Sequence, residues 1–561
     1  MEQKIVIKNL KDVPILSVSL QSTLWNPTGN WRYLRPVYVT LRAPCSKACP
    51  IEQDISFYLT ALADGKPEAA WQKMVEANPL PSICGRVCHH PCEADCNRRD
   101  YDESLAINSL ERFLGDWGMK EGKPNGRPLD KRNEKVAVIG SGPAGLSCAY
   151  FLARKGYGVK IFEAMNDPGG MLRHGIPAYR LPRKILNAEI RRIESCGVDF
   201  ETGKKFGKDF GLPDLKPFAA VFLAIGAHAE QKPKISGDDL KGVWHGLAFL
   251  KEINAGKRLS LGKKVIVIGG GNTAIDSARV AWRLGSKVTV LYRRAKEDMP
   301  AIPGEVEEAG REGVEFIFNA VPVKISGKSG KVQAVECVRT KPGKPDGSGR
   351  RAPVPIKGSN FSLKADSLIL AVGERADLSF LPEGMKTEKG LIAVDSWGRT
   401  NLSGIFAGGD AATGAGYVSQ AIASGKKTAW AIDRFLREEK TDPRENSAEV
   451  VRLEKINLDY FPPAPRVEPP ALPVKGRAGG FREVHSGLSS LKAKQEAERC
   501  FSCGNCIRCN VCLMVCPDVA ISFQEKENEY LIDYDHCKGC GICSVECPRS
   551  AMALEEEKWN E

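Results

Sequence analysis

Residues 135–145 of the chain read KVAVIGSGPAG. The first five residues form a short apolar run typical of a buried strand, and a glycine-rich turn follows directly. An apolar helical stretch comes next, and a second short strand ends at Glu163. In this context Gly140 allows a tight turn, Gly142 lets the backbone approach a pyrophosphate, and Gly145 lets helix and strand pack closely. Because Glu163 is placed to bind ribose hydroxyls, the stretch indicates a dinucleotide-binding fold and not a structural glycine turn.

The same pattern recurs further along the chain. A strand at 263–268 runs into GGGNTA at 269–274, a helix and a second strand, which is followed by Arg293 and Arg294 and not by a carboxylate. Arginine at this place suits the 2′-phosphate of NADPH, so we expect NADPH in preference to NADH. If both arginines are only solvated strand-end charges, either nicotinamide is accepted. The expected site residues are Gly269, Gly271, Asn272, Thr273, Ala274, Arg293 and Arg294.

Two dinucleotide folds, the second set within the first, predict a flavin disulfide-reductase-like architecture with FAD in the first fold and NAD(P)H in the second. The chain is then expected to return to the first fold. A buried strand with a glycine at 368–373 and the sequence GIFAGGD at 404–410, ahead of a helix at 419–436, fit that return. Asp410 is placed to hold the flavin ribityl chain, and a helix N-cap is its alternative role. The expected FAD residues are Gly140, Gly142, Ala144, Gly145, Glu163, Gly170, Gly409 and Asp410.

The 19 cysteines divide the chain into a Cys-rich front, a Cys-poor middle and a Cys-rich end. The middle has no CxxC or CxxxxC pair, so electrons are expected to leave the flavin for metal centres and not for a disulfide. The end carries the run CxxCxxCxxxCP twice, 31 residues apart. This is the bacterial ferredoxin spacing, in which the fourth cysteine of each run binds the other [4Fe–4S] cluster. The expected sets are Cys506, Cys509, Cys512 and Cys547 for one cluster and Cys537, Cys540, Cys543 and Cys516 for the other.

Roughly residues 43–436 resemble a known family through several specific motifs. They are CSKACP at 45–50, NPLP at 78–81, CGRVC at 84–88, CEADC at 92–96, GIPAYRLP at 175–182, YRR at 292–294, MPA at 299–301 and AGGD at 407–410. These motifs are similar to the small subunit of NADPH-dependent glutamate synthase, the N-terminal half of dihydropyrimidine dehydrogenase and the large subunit of ferredoxin-NADP transhydrogenase. The resemblance implies an α-helical head with two [4Fe–4S] clusters, followed by FAD and NADPH domains.

One segment of this family's head is out of place. The family has a leader of the form F-x-E-V-x2-G, a helix and R-C-x2-C ahead of its Cys-x3-Cys-Pro, but no such sequence precedes Cys45. FREVHSG at 481–487 and ERCFSC at 498–503 match the leader instead, after a Pro-rich stretch. We hypothesise that the leader is transposed, so that Cys500 and Cys503 fold back, or reach across a dimer, to complete a cluster. A third CxxC without such a role is the alternative.

The resemblance also implies the ligands of the two head clusters. The leader cysteines would join Cys45 and Cys96 in one cluster. The second would be bound by Cys49, Cys88, Cys92 and Glu111. For Glu111, a surface helix carboxylate is the alternative. Gly85 and Pro91 are expected to interrupt a helix and make the head cysteines loop ligands. Four cysteines are left without a ligand role, with Cys148 interpreted as a core residue: Cys84, Cys148, Cys196 and Cys337.

The fold class is therefore α/β: tandem Rossmann-like FAD and NAD(P) domains, an α-helical Fe–S head and a C-terminal α+β ferredoxin domain. The predicted boundaries are 1–132 for the head, 133–257 for the first segment of the FAD domain, 258–365 for the NAD(P)H domain, 366–440 for the returning segment of the FAD domain, 441–480 for an extended Pro-rich linker, 481–503 for the transposed leader and 504–561 for the ferredoxin domain.

Length and composition narrow the class of protein. A chain of 561 residues that is 42% hydrophobic and 27% charged indicates several soluble globular domains. No apolar run approaches the ~18 residues of a membrane span, residues 1–14 show no secretory signal, and many thiols favour a reducing compartment, so we expect a cytoplasmic protein. The net charge is +12. Bound cofactors would lower this net charge to about +3. Each of three all-thiolate clusters contributes roughly −2, a Glu-ligated cluster contributes roughly −1, and FAD contributes roughly −2.

The expected function is an iron–sulfur flavoprotein oxidoreductase that passes electrons between NADPH and [4Fe–4S] clusters through FAD. Its expected partners are catalytic redox subunits of a complex or a ferredoxin, in an organism of anaerobic metabolism, and the direction of flow stays open. No nucleic-acid partner is expected, because no basic stripe with interleaved aromatics is present. The alternatives are a glutamate synthase small-subunit role, a cluster-bearing scaffold without nicotinamide activity, and a zinc-rich nucleic-acid module.

Overall fold

The computed structural model describes residues 27–28, 32–122, 130–231, 233, 235–347, 349–439 and 449–557. The expectation about a secretory signal at 1–14, and the first residues of the predicted linker at 441–448, lie outside the described residues. Helices and strands are numbered below in chain order.

Short helices form the head. One strand and six helices make up this region of the chain: β1 (Leu34–Tyr38), α1 (Pro44–Ala48), α2 (Ile55–Ala63), α3 (Pro67–Ala77), α4 (Pro81–Val87), α5 (Pro91–Ala94) and α6 (Ile107–Lys120). Proline stands in the first turn of α1, α3, α4 and α5, where its missing N–H leaves no helical bond unmade.

The sequence-based prediction about Gly85 is wrong. Gly85 lies inside α4, where an added Cβ would be 2.3 Å from the backbone nitrogen of Arg112 in α6, so its role is to let the two helices approach. The interruption comes at His90, whose φ is 39°, just before Pro91 starts α5. The head cysteines are therefore not all loop residues: Cys45, Cys84 and Cys92 are helical, whereas Cys49, Cys88 and Cys96 lie at helix ends.

The first dinucleotide domain follows the head. Its first segment contains β2 (Lys135–Ile139), α7 (Pro143–Arg154), β3 (Gly158–Phe162), α8 (Met171–His174), α9 (Arg183–Glu194), β4 (Val198–Glu201), β5 (Ala220–Leu223) and β6 (Ala229–Glu230).

The second dinucleotide domain is inserted next. It contains β7 (Val243–His245), α10 (Gly246–Asn254), β8 (Lys264–Ile268), α11 (Asn272–Arg283), β9 (Lys287–Leu291), α12 (Pro303–Arg311), β10 (Glu315–Ile317), β11 (Ala320–Lys328), β12 (Lys331–Pro345), β13 (Arg351–Lys364) and β14 (Ser367–Leu370). A parallel sheet has the order β10-β9-β8-β14-β7, and β11-β12-β13 form a separate antiparallel sheet.

This topology corrects two predicted boundaries. β7 lies at the edge of the second sheet, so that domain begins before residue 258. β14 pairs with β7 and β8, so the apolar run that the sequence analysis assigned to the returning FAD segment belongs to the second domain.

The chain then returns to the first domain. This segment contains β15 (Glu374–Arg375), β16 (Thr387–Glu388), β17 (Leu391–Ile392), β18 (Ile405–Ala407), α13 (Asp410–Thr413) and α14 (Val418–Leu436). The strand order of the first sheet is β18-β5-β2-β3-β4, all parallel. The nesting of one dinucleotide fold within the other, and with it the predicted fold class, is confirmed.

The end of the chain folds as a small α+β module. It contains α15 (Ser490–Glu498), α16 (Val511–Met514), β19 (Ile521–Gln524), β20 (Glu529–Ile532), α17 (Ile542–Val545) and β21 (Met552–Glu556). The last strand, β21, pairs with β1 in antiparallel register from Leu34–Glu556 to Tyr38–Met552. Residues 34–38 therefore complete the ferredoxin module, although the sequence analysis placed them in the head.

The Pro-rich linker is extended but is held along the head. Phe461 packs against Phe501 with ring centroids 4.6 Å apart, and Arg466 donates to Glu93 at 2.8 Å. One apolar core runs through the head, the first dinucleotide domain, stretches of the linker and α15. These regions therefore form a continuous packed unit.

Residues 470–487, called the strap here, lie between the second dinucleotide domain and the head. Arg477 is 5% exposed and pairs with Glu308 and with Glu312, the latter at 3.0 Å. On the side that faces the head, Glu483 forms ion pairs with Arg86 at 2.7 Å and with Arg112 at 2.9 Å. The strap thus joins two domains through buried charge pairs.

Candidate cofactor sites

A cavity of about 640 Å³ lies between the two dinucleotide domains. Its volume falls within the range of small-molecule sites. Its lining comes from the first glycine turn, from Asn272 and Thr273 directly after the second glycine turn, from the return segment around Asp410, and from Val87 at the end of α4. The cavity therefore joins the two nucleotide folds and reaches the head.

The first glycine turn forms one wall of the cavity. Gly140 has a φ of +105°, and an added Cβ would lie 2.4 Å from the Ala224 carbonyl oxygen. A Cβ at Gly142 would meet no atom within 4 Å, so this backbone is open to a ligand. A Cβ at Gly145 would lie 1.9 Å from the Gly140 oxygen, because α7 packs directly on the turn. This cradle fits the pyrophosphate of FAD at the N-terminus of α7.

Both carboxylates predicted to bind FAD, Glu163 and Asp410, line the same cavity. Glu163 accepts hydrogen bonds from the backbone N–H groups of Ser141 at 2.9 Å and Met165 at 2.8 Å. Burial raises the pKa of Asp410 to about 6, and the Glu374 carboxylate adds to the rise. α13 begins at Asp410 itself, with Gly409 in the cap position, so Asp410 is not the helix N-cap that was its alternative role. The other predicted FAD residues, Ala144 and Gly170, also line the cavity.

The second glycine turn repeats the geometry. An added Cβ at Gly269 would lie 2.1 Å from the Ala371 oxygen, while one at Gly271 would meet open space. Asn272 Oδ1 accepts from the Ile302 N–H at 3.0 Å, and Thr273 Oγ1 donates to Glu374 at 2.9 Å. Both side chains line the cavity, and Ala274 is buried behind them in α11.

The two arginines after β9 have different surroundings. Arg294 is 4% exposed, pairs with Asp346 and donates to the Arg351 carbonyl at 2.8 Å. Arg293 is exposed. Of the two predicted phosphate contacts, only Arg293 presents its side chain to solvent. Asp346 was not predicted as a partner of this arginine, because it lies on the distant β12–β13 connection.

The predicted leader ligands lie together in one chain. Burial raises the pKa of the Cys45 thiol, and three neighbouring thiols raise it further. They are Cys96, Cys500 and Cys503. Asn97 Nδ2 donates to Cys503 Sγ at 3.4 Å, and the Ser502 N–H donates to Cys500 Sγ at 3.3 Å. The leader segment therefore folds back onto the head of its own chain.

Buried hydrogen bonds of charged side chains hold α15 against the head. Glu496 accepts from the Ala106 N–H at 2.8 Å and from Arg499 at 2.8 Å. Arg98 donates to the Arg499 carbonyl at 2.7 Å. These contacts explain why the leader helix docks in the correct register on the head although about 400 residues separate them along the chain.

The second predicted head set surrounds Glu111. This residue is 5% exposed on α6, so it is not a surface carboxylate. Burial raises its pKa to about 7, although Gln53 and Asn78 each donate to its Oε1 at 2.8 Å. The Cys92 pKa is raised by burial, by Glu93 and then by three members of the predicted set. They are Cys49, Glu111 and Cys88.

Gln53 and Asn78 were not among the predicted site residues. Asn78 belongs to the NPLP motif, so the resemblance contained a signal for it; Gln53 had none. Because both amides bind one carboxylate oxygen, the other oxygen is free of hydrogen bonds among the described residues. Cys84 also lies nearby, buried within α4, and donates to Asn78 at 3.8 Å.

The ferredoxin cysteines form two groups with exchanged fourth members. One small cavity is lined by Cys506, Cys509, Cys512 and Cys547, and another by Cys516, Cys537, Cys540 and Cys543. This is the exchange that the spacing predicts. A backbone N–H donates to the sulfur of one cysteine in each group. Ala520 donates to Cys516 and Ala551 donates to Cys547, both at 3.3 Å. The Tyr38 hydroxyl, which the sequence analysis missed, lies 3.3 Å from Cys512 Sγ.

Within the described ranges, no three Cys, His, Asp or Glu side chains converge on a point where a single metal ion would sit. Cysteine thiolates are the usual ligands of [4Fe–4S] clusters, so the predicted groups have the ligand chemistry that such clusters need.

Two dinucleotide folds around one cavity, flanked by iron–sulfur ligand groups, define an iron–sulfur flavoprotein oxidoreductase. The chain belongs to the pyridine nucleotide-disulphide oxidoreductase family, whose pattern matches residues 134–425. Residues 38–123 match dihydropyrimidine dehydrogenase domain II, 4Fe-4S cluster, and residues 505–551 match the 4Fe-4S dicluster domain. The resemblance, the oxidoreductase class and the presence of FAD/NADP-binding and 4Fe–4S domains are confirmed.

Three relatives show how far the similarity extends. The NADP(+)-dependent formate dehydrogenase subunit beta of Moorella thermoacetica is 40% identical over 497 residues, which covers 82% of this chain and 70% of the relative. The NADPH-Fe(3+) oxidoreductase subunit beta of Geobacter sulfurreducens is 39% identical over 510 residues, with 82% and 75% covered. The glutamate synthase [NADPH] small chain of Escherichia coli is 35% identical over 423 residues, with 70% and 88% covered.

No helix in the described ranges of the chain has both the length and the apolar character that a membrane crossing requires.

Proposed function

We propose that this chain passes electrons between NADPH and four [4Fe–4S] clusters through FAD, as the electron-transfer subunit of a larger cytoplasmic redox complex. One observation carries the proposal: the cavity shared by both dinucleotide domains is also lined by Val87, directly before the predicted ligand Cys88. The names of two relatives, each a subunit beta, support a partner subunit.

Bound FAD supplies the conversion between a hydride and single electrons. With the cofactors bound, the balanced reaction would convert NADPH to NADP⁺ and one proton and would deliver two single electrons to the clusters. The chain's role is to hold the reactants. Gly142 and the N-terminus of α7 would bind the flavin pyrophosphate, and Glu163 and Asp410 would bind its hydroxyl groups. Gly271 and Arg293 would bind the nicotinamide nucleotide, with Arg293 on its 2′-phosphate.

We name the four proposed clusters by their ligands. The Glu111 cluster uses Cys49, Cys88, Cys92 and Glu111, and the leader cluster uses Cys45, Cys96, Cys500 and Cys503. The first ferredoxin cluster uses Cys506, Cys509, Cys512 and Cys547, and the second uses Cys516, Cys537, Cys540 and Cys543.

Short chain segments between the proposed ligands support one order of these clusters. Cys45 and Cys49 connect the leader cluster to the Glu111 cluster, and Cys503 and Cys506 connect it to the first ferredoxin cluster. Three or four residues span at most about 14 Å, so each pair of clusters must be close neighbours. With the Glu111 cluster next to the cavity, the order is flavin, Glu111 cluster, leader cluster, then the two ferredoxin clusters. In this position the transposed leader directly connects the head to the ferredoxin module.

Anaerobic titration tests the nicotinamide reaction. NADPH is expected to bleach both flavin and cluster absorption, with NADH less effective at equal concentration. If neither nucleotide bleaches either chromophore in protein with full FAD and iron, the chain is a cluster-bearing scaffold and the proposal fails.

The leader cluster has its own test. Replacement of Cys500 and Cys503 by Ser is expected to remove about four irons per chain while the two ferredoxin signals persist in EPR spectra. Cys196→Ser is the matched control, because Cys196 is a half-buried cysteine just after α9 that belongs to none of the proposed ligand sets, and the variant should keep all iron. Unchanged iron in the double variant would contradict the proposed ligation.

A further inference from the structure

Tyr417 lies where three regions of the molecule meet. It directly precedes α14 and lines the cavity between the dinucleotide domains. Its hydroxyl donates to the Pro300 carbonyl of the second domain at 3.1 Å. Its ring stacks on His89 of the head, with centroids 3.7 Å apart and planes inclined by 12°. One side chain therefore contacts the cavity, the nicotinamide domain and the head.

His89 connects this ring to the Glu111 cluster. It directly follows Cys88, and the neighbouring loop is fixed: the His90 N–H donates to Cys88 Sγ at 3.3 Å, and His90 Nδ1 lies 3.0 Å from the Cys88 carbonyl oxygen. His89 Nδ1 is buried and has no hydrogen-bond partner among the described residues. No hydrogen bond to Nδ1 orients this imidazole, whereas the stack on Tyr417 holds the plane of the ring.

Residues on both sides of the stack pack close to it. Val87 lines the cavity on one side of His89, and Ser419, two residues after Tyr417, is 1% exposed and lies beside the Cys88 thiol. Rings at 3.7 Å are in van der Waals contact, which leaves no room for water between them. A continuous path of packed atoms thus leads from the cavity through Tyr417 and His89 to Cys88.

We propose that the Tyr417–His89 stack is the contact through which electrons pass between the flavin site and the Glu111 cluster. This inference rests on the proposed function. In each passage the flavin loses one electron and the cluster gains one, and the two rings are neither oxidised nor reduced. Both are positioning residues: they keep the gap between donor and acceptor filled with protein atoms, which couple the two centres better than a gap does.

Stopped-flow reduction by NADPH, with flavin and cluster absorption followed separately, tests the proposal. Tyr417→Leu and His89→Leu are expected to slow cluster bleaching at least about tenfold, while flavin bleaching, FAD content and iron content stay unchanged. Tyr417→Phe keeps the ring and is expected to retain the cluster rate within about twofold. Tyr33→Leu is the control, because it replaces an 80% exposed tyrosine that lies outside the stack, and it should leave both bleaching rates unchanged.

A second measurement does not depend on turnover. Carbethoxylation of His89 in the oxidised protein, followed by mass spectrometry, is expected to be faster in Tyr417→Leu than in the parent and in Tyr417→Phe, because the covering ring is gone.

The outcomes separate this inference from the proposed function. If the parent shows no bleaching with NADPH, the proposed function fails. If the parent bleaches fully and both leucine variants bleach their clusters at the parental rate, the stack is not the electron contact and this inference is overturned.

Discussion

At the residue scale, the two adjacent arginines after β9 are not equivalent. Arg294 is engaged by Asp346, whereas Arg293 is exposed. Arg293→Ala is expected to weaken NADPH binding about 10- to 100-fold and to leave NADH binding unchanged, because a charged hydrogen bond to the 2′-phosphate is worth about 1.5–3 kcal/mol. Titration of the flavin absorption measures both affinities.

Arg258→Ala removes another exposed arginine of the same domain, one that is not among the predicted nucleotide-binding residues, and serves as the control. Equal losses for NADPH and NADH in Arg293→Ala would show that this arginine does not recognise the 2′-phosphate.

Glu111 is the second residue whose surroundings identify a role. Its Oε1 is occupied by Gln53 and Asn78, which orients the carboxylate among the head thiols. Glu111→Ala is expected to lose about four irons per chain, whereas Glu111→Gln keeps an oxygen donor and should retain them with a changed EPR signal. Glu121→Gln, at the exposed end of α6, is the control. Full iron with an unaltered EPR signal in Glu111→Ala would exclude ligation by this residue.

At the element scale, the strap is the connection most sensitive to a single substitution. Arg477→Met would remove one cationic partner from each of the buried carboxylates Glu308 and Glu312, and the lost charged hydrogen bonds cost about 1.5–3 kcal/mol. Both carboxylates keep other arginine partners, which are Arg279, Arg283 and Arg311. The second dinucleotide domain should then detach from the head more easily, seen as faster proteolysis within 470–487 in otherwise native conditions. Arg482→Met, at an exposed arginine of the same strap, should behave like the parent. Equal cleavage of the two variants would contradict this role.

The elements themselves were predictable where their signals are local. Glycine turns after short apolar strands identified both dinucleotide folds, since the geometry needs those residues at those positions. Which sheet a strand joins is not a local property. The apolar sequence of β14 is compatible with a central strand of either sheet. Only its pairing with β7 and β8 shows that it belongs to the second domain. The pairing of β1 with β21 was missed for the same reason, because their partners lie at opposite ends of the chain.

At the scale of the whole molecule, +12 is the formal net charge of the polypeptide without its cofactors. With four clusters and FAD bound, the sum is about +3. Holoprotein is therefore expected to leave a cation exchanger at lower salt than cofactor-free protein at pH 7. Reconstitution with iron, sulfide and FAD should restore the earlier elution. Identical elution of the two forms would show that the basic excess does not compensate cofactor charge.

Because the leader folds back onto the head, the proposed ligands of the leader cluster are synthesised at widely separated times. Cys45 and Cys96 leave the ribosome early, but Cys500 and Cys503 follow about 400 residues later. At typical elongation rates this interval is roughly 20–80 s, during which two thiols of the head have no partners for a cluster. The Glu111 set, complete by residue 111, can be filled while the chain is still growing. With the proposed ligands, maturation is therefore ordered in time, and the leader cluster would be assembled only after nearly the whole polypeptide has been made.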